Sequence, residues 1–153
     1  MKKIFSLIAV SIFLVSCSTL QSKAEDTYMM YRQAWRDNKI SDCVSFWHPA
    51  IVKDQRDIII TKQQYIRDEL GGLAKTESIQ VLGAKTLKTF VFSGAIFNDV
   101  VELDVVIRIN KIQNMNDRQQ RMFKSSESLV IRELVFMCDF EGQMKIIQSQ
   151  ERQ

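Results

Sequence analysis

Val101-Glu102-Leu103-Asp104-Val105-Val106-Ile107-Arg108-Ile109 places an apolar residue at every odd position, with Glu102, Asp104 and Arg108 between them. Successive side chains of a strand point to opposite faces, so the stretch is a half-buried strand with one wet face. Strand character continues on both sides of it. Upstream, Ile79, Val81, Leu87, Val91 and Phe92 mark one or two strands, Gly83 a bulge or bend, and Ser93-Gly94 a turn. Downstream, the polar run Gln113 to Gln120 reads as a loop. A long strand follows from about Met122 to Phe140, then a turn at Glu141-Gly142. A return strand over Gln143 to Gln148 puts Met144 and Ile146 on one face. Such short connections predict a mostly antiparallel sheet.

Before Glu77 the period is helical. Ser22-x-x-Glu25 is a capping-box signature for a helix running to about Asn38. Tyr28, Tyr31, Ala34 and Trp35 share one face of it. That stripe reads as core, or, together with Trp47, as the lining of a ligand cavity. A short helix fits Ser41 to Trp47, with Pro49 ending it at His48. Asp57 to Ile60 reads as a brief strand. Thr61-x-x-Gln64 is a second capping box, for a helix through Leu70 stopped by Gly71-Gly72. Helices first and a sheet afterwards make an α+β domain, expected over residues 22–150.

The N-terminus carries an address. Lys2 and Lys3 precede an apolar run from Ile4 to Val15, too short to span a bilayer and right for a secretory signal. It ends in Leu14-Val15-Ser16-Cys17, which resembles the bacterial lipobox. That resemblance implies cleavage before Cys17, a diacylglycerol on its thiol, removal of residues 1–16 and a short tether over 17–21. Ser18, where an inner-membrane retention signal has Asp, implies the outer membrane facing the periplasm. No later stretch is long or apolar enough to cross a bilayer.

The address changes the charge argument. Lys2 and Lys3 are two of 21 Lys and Arg set against 18 Asp and Glu, so without them the net charge falls from +3 to +1. A nucleic-acid binder would carry a concentrated basic face, so no nucleic-acid partner is indicated. With Cys17 committed to lipid, Cys43 and Cys138 remain. In an oxidising compartment they either bridge or stand as two separate buried thiols.

The order of elements also resembles the cystatin-like α+β roll of the nuclear-transport-factor-two-like and ketosteroid-isomerase-like superfamily. Three segments carry it. Ala34 to Asn38 with Cys43 to Pro49 is similar to the family's first helix, polar break and second helix. Thr61 to Leu70 is similar to its third helix. Phe140-Glu141-Gly142-Gln143-Met144-Lys145-Ile146 is similar to its closing hairpin, with Met144 where the family usually has Trp. The resemblance implies N-terminal helices held in a strongly curved, cone-shaped sheet with a cavity at the wide end. It also implies a homodimer through the sheet face as one option, Val106 lying on the otherwise wet side. Members include isomerases, carrier domains and secretion-channel subunits, so the fold does not choose the function.

Catalysis in such a cavity needs a carboxylate or His facing an apolar wall. The candidates are His48, Glu102 and Asp104, with Asp99 beside Asn98 reading as turn chemistry. Glu102 and Asp104 point away from the apolar face of their strand, and solvated side chains are the simpler reading. His48 is the only histidine. Cys43, Cys138 and one His make no metal-ligand pattern, and no glycine-rich phosphate loop is present, so no metal or cofactor is indicated. Arg118, Arg121 and Lys124 give the Gln113–Gln120 region a basic side diluted by Asp117 and Glu127. The leading expectation is a membrane-anchored, non-enzymatic domain that binds an envelope protein partner or a small apolar ligand. The alternatives are a cavity enzyme using a buried carboxylate or His48, and an accessory subunit of an envelope assembly with an open sheet edge or apolar patch.

Overall fold

A computed structural model describes residues 19–152. The signal segment, the lipobox and Cys17 lie outside them. Four α-helices and one antiparallel sheet of four strands, in the order β1-β2-β3-β4, make an α+β domain. The helices are α1 (Thr19–Arg36), α2 (Ile40–Cys43), α3 (Pro49–Leu70) and α4 (Asp117–Phe123). The strands are β1 (Ser78–Phe92), β2 (Ala95–Asn110), β3 (Ser128–Phe140) and β4 (Gln143–Glu151). Single 3₁₀ segments, Val44–Phe46 and Gly71–Thr76, follow α2 and α3.

The β2 alternation behaves as its sequence requires. Val101, Leu103, Val105, Ile107 and Ile109 are buried against α1, while Glu102 and Asp104 lie on the opposite face. Each fully buried aliphatic side chain contributes about 1.5–3 kcal/mol, so these five form the spine of the core. Leu82 is an extra residue between Val81 and Gly83, opposite the Val105–Asp104 step of β2, and is the bulge expected near Gly83. It keeps Ile79, Val81 and Ala84 on the core side.

Nearer the turn the hairpin changes face. Asp99 sits at φ +50°, a left-handed conformation that Asp tolerates better than most residues. It is therefore an irregularity within β2 and not the turn residue that its neighbour Asn98 suggested. Phe97 on its turn side and Val100 on its other side, with Leu87, Phe90 and Phe92 of β1, join a second apolar cluster. That cluster holds Phe136 and Cys138 of β3, whose neighbours Val135 and Met137 belong to the first. Both faces of β3 are thus covered, the second by Ile51 and Ile59 of α3.

Three sequence-level expectations need correction. Residues 19–21 are described as part of helix α1, and Ser22 is an exposed interior position of it with no capping role. The segments read as a strand at Asp57–Ile60 and a capping box at Thr61–Gln64 both lie inside α3, a single helix of 22 residues. Ile51, Ile59, Arg67 and Leu70 are its buried face, and packing of that stripe overrides the β preference of three successive isoleucines. The polar run Gln113–Gln120 contains the start of α4. Asn116 accepts from the Gln119 amide while Gln119 accepts from the Asn116 amide, a capping box with Asn in the leading place. The turns at Ser93-Gly94 and Glu141-Gly142, and the stop at Gly71 (φ +52°), fall where the sequence put them.

Helix ends are satisfied by long-range partners. Asn38 at φ +61° closes α1, with the Lys39 amide donating to Ala34 O and the Asn38 amide to Trp35 O. Arg67 then reaches from α3 to the same end, donating to Trp35 O at 3.3 Å and Arg36 O at 3.1 Å, and to Gly71 O at 2.7 Å. Gln119 donates to Leu70 O at 3.0 Å. Replacing Arg67 by Met keeps the apolar stem but takes a donor from three carbonyls at two helix ends, leaving Trp35 O with the Asn38 amide alone. The expected cost is about 2–3 kcal/mol in a denaturant titration, at an unchanged slope. A loss below about 0.5 kcal/mol would show that water replaces the guanidinium freely.

Candidate functional site

The aromatic stripe of α1 is core. Tyr28, Tyr31 and Trp35 are 0%, 3% and 1% exposed, so they line no opening to solvent. Around them lies a buried polar network. Arg32 donates from Nε and Nη2, one edge of its guanidinium, to the two carboxylate oxygens of Glu77, which sits just before β1, and stacks 4.4 Å from the centre of the Trp35 ring. Burial works against the Arg32 charge, but the bonded Glu77 carboxylate holds the pKa above its ordinary value. The Tyr28 hydroxyl donates to Glu133 at 2.9 Å, and Ser149 donates to the same oxygen at 3.1 Å. Burial first, and then Glu133, push the Tyr28 pKa well up, so it stays a donor. These bonds tie α1 to β1, β3 and β4.

The strand carboxylates are on the outer face. Glu102 pairs with Lys85 at 2.9 Å, and Asp104 pairs with Arg132 at 2.8 Å and Arg152 at 3.4 Å. The Arg132 hydrogen bond lowers the Asp104 pKa. Both are cross-strand charge partners. Cys43 and Cys138 are free thiols, one in each apolar cluster, with burial raising both to about 11. Among the described residues no group of three or more His, Cys, Asp and Glu is placed to hold a metal. Nor is any helix there long and apolar enough to cross a membrane.

His48 is built into the frame. Its backbone amide donates to Ile146 O at 2.8 Å, beside a bridge between Trp47 and Ile146 at the β4 edge. Its Nδ1 accepts from the Ala50 amide at 3.1 Å, making it the N-cap of α3, with Pro49 at the first helical position. It opens α3, whereas the sequence placed it at the end of the helix before. The ring packs edge-on to Phe97 and Phe140. Burial and then Lys145 lower its pKa below 6.5. Protonation costs the cap its acceptor and puts a cation at a helix N-terminus. With the folded pKa below the unfolded one, the contribution is complete above about pH 6.5 and is lost as pH falls through the folded value. Against His48→Asn, which caps without titrating, the wild-type denaturation midpoint is expected to fall behind only below about pH 6.5. Parallel pH profiles would contradict the cap.

Trp47 lines an open groove, one of several surface depressions among the described residues. The groove, of about 590 Å³, runs between α3 and the β3–β4 turn. Pro49, Val52, Lys53 and Arg56, spaced i, i+3, i+4 and i+7, form one wall as a single stripe of α3. Ser41, Val44 and Ser45 form the second wall, and Trp47 and Phe140 the apolar floor. Glu141 is its one carboxylate. A neighbouring groove of about 460 Å³ shares Ser45, Gln143 and Lys145 and continues toward Lys23, Asp26 and Met30 of α1. Of the residues expected to line a cavity, only Trp47 is here; the α3 stripe is part of the groove because Pro49 opens that helix and does not end the one before. Comparison with family models, with characterised proteins and with solved structures finds no match to this chain.

Proposed function

We propose that the chain is a lipid-anchored envelope protein whose domain is a non-catalytic binding module for a protein partner. The signal-like N-terminus would deliver it, and acyl chains on Cys17 would hold it at the outer membrane facing the periplasm. In this reading the α+β domain is a cone-shaped roll of the kind its sequence resembles. The observation that carries the binding role is the open groove with an apolar floor and a cationic rim. The interior that would hold a small apolar ligand is occupied by Tyr28, Tyr31 and Trp35. Glu102 and Asp104 are engaged in surface ion pairs and His48 in a helix cap, which leaves each with a structural task.

The edge of β1 favours a place in an envelope assembly. This strand of 15 residues pairs on one side with β2, and on the other Gln21 donates to Ala84 O. Val91 and Ile96, directly opposite each other near the turn, are 65% and 68% exposed. Sheet edges and paired apolar residues of this kind are where partner chains attach. Fractionation of a Gram-negative host expressing the full chain tests the anchor: wild type is expected in the membrane fraction and Cys17→Ser in the soluble one. Equal distribution of the two would sink the proposal.

A further inference from the structure

We infer that the groove between α3 and the β3–β4 turn docks an extended segment of a partner protein that is acidic and apolar. This deepens the binding role proposed above and rests on it. The argument is one of charge and shape. Lys53 and Arg56 line the groove and, like most of the other surface cations, make no ion pair among the described residues. The Lys145 ammonium donates to the Ser45 carbonyl at 2.7 Å, which fixes its position without neutralising it. Lys145, held in place, and the exposed Lys53 and Arg56 therefore line the groove against one carboxylate, Glu141. Between them lie Val44, Val52, Trp47 and Phe140, which offer apolar contact below the charged rim. A ligand that gains from both carries carboxylates next to aliphatic or aromatic side chains.

Shape favours a peptide over a bilayer. The floor is recessed between walls from three chain segments, so a flat headgroup layer would meet the rim and leave Trp47 and Phe140 uncovered. A polypeptide can insert a side chain and keep its carboxylates at the rim. Continuity through Ser45, Gln143 and Lys145 into the second groove gives room for several extended residues, with Lys145 at the middle. Lys53 and Arg56 are exposed, so their charges can be reversed without disturbing either apolar cluster.

The test selects from a displayed library of random ten-residue peptides on the full chain carrying Cys17→Ser, which removes lipid from the readout. Enrichment of peptides combining Asp or Glu with Leu, Phe or Trp is expected. A synthetic copy of the strongest should bind saturably and weaken with added salt. Its Kd should rise at least about tenfold in Lys53→Glu/Arg56→Glu, about 1.4 kcal/mol, and hold in Lys62→Glu, which lies outside the groove. Selection on the double variant should shift toward basic peptides. Enrichment of basic or uncharged peptides on the parent chain, or the same selection on parent and double variant, would overturn the inference. Sedimentation of the Cys17→Ser chain with phosphatidylglycerol vesicles but not phosphatidylcholine vesicles, without peptide enrichment, would overturn it in favour of a membrane surface. Binding of neither probe would overturn it outright. A chain that passes fractionation and fails here is an anchored protein with another docking face.

Discussion

Glu77→Gln is expected to lower the stability of the domain by about 3–5 kcal/mol, a large share of the roughly 5–15 kcal/mol typical of a whole domain. The substitution hardly changes shape, so the cost comes from the charge it abandons. Arg32 is 8% and Glu77 5% exposed, and the pair is held by two hydrogen bonds and the Trp35 ring. Without its carboxylate the guanidinium is an uncompensated cation in a low-dielectric interior. Arg32→Met should cost a similar amount for the opposite reason. Replacing both, as Arg32→Met/Glu77→Leu, is expected to recover most of the loss, because an apolar pair of similar volume carries no desolvation penalty. Denaturant titrations of the two single variants and the double variant measure this as a coupling energy. Additive losses in the double variant would mean that the two residues contribute separately, through packing alone.

The network around that pair explains what the sequence could and could not convey. The alternation of Val101 to Ile109 and the turns at Ser93-Gly94 and Glu141-Gly142 are local signals, and each appears in the structure where the sequence placed it. The helical stripe of Tyr28, Tyr31 and Trp35 was also legible, though its two readings, core and cavity wall, differ only in what stands opposite. The closure of that space depends on β2 and β3, more than 60 positions away. Helix α3 was misread because its signals conflict. Three adjacent isoleucines favour a strand, and Thr61-x-x-Gln64 imitates a helix start. The decisive signal was His48-Pro49, a cap followed by proline at the first helical position. Reading it as a start would also have exposed the Val52-Lys53-Arg56 wall of the groove. The opposite side, Phe140 to Lys145, is joined to it only by the fold. Arg67 and Gln119 were missed for the same reason, since the carbonyls they satisfy belong to other helices.

Cys17 carries the other large effect. Each buried methylene adds about 0.8 kcal/mol of membrane affinity, and two or three acyl chains make attachment effectively permanent. Removing the thiol would remove the first step of the proposed lipidation, so Cys17→Ser is expected to move the chain from the membrane fraction to the soluble one completely. The anchor also bears on the groove. Helix α1, described from Thr19, rises about 1.5 Å per residue. Lys23 and Asp26 of the second groove therefore lie within roughly 10–12 Å of Thr19. A partner bound there would be held close to the membrane surface, which suits a local task in the envelope.

Intact-mass and N-terminal peptide mass spectrometry of the full chain, purified from a Gram-negative host, tests the lipoprotein assignment most directly. The expected result is a chain that begins at Cys17 and carries a diacylglyceryl group on the thiol. A chain that retains residues 1–16, or that begins at another residue with an unmodified Cys17, would contradict it.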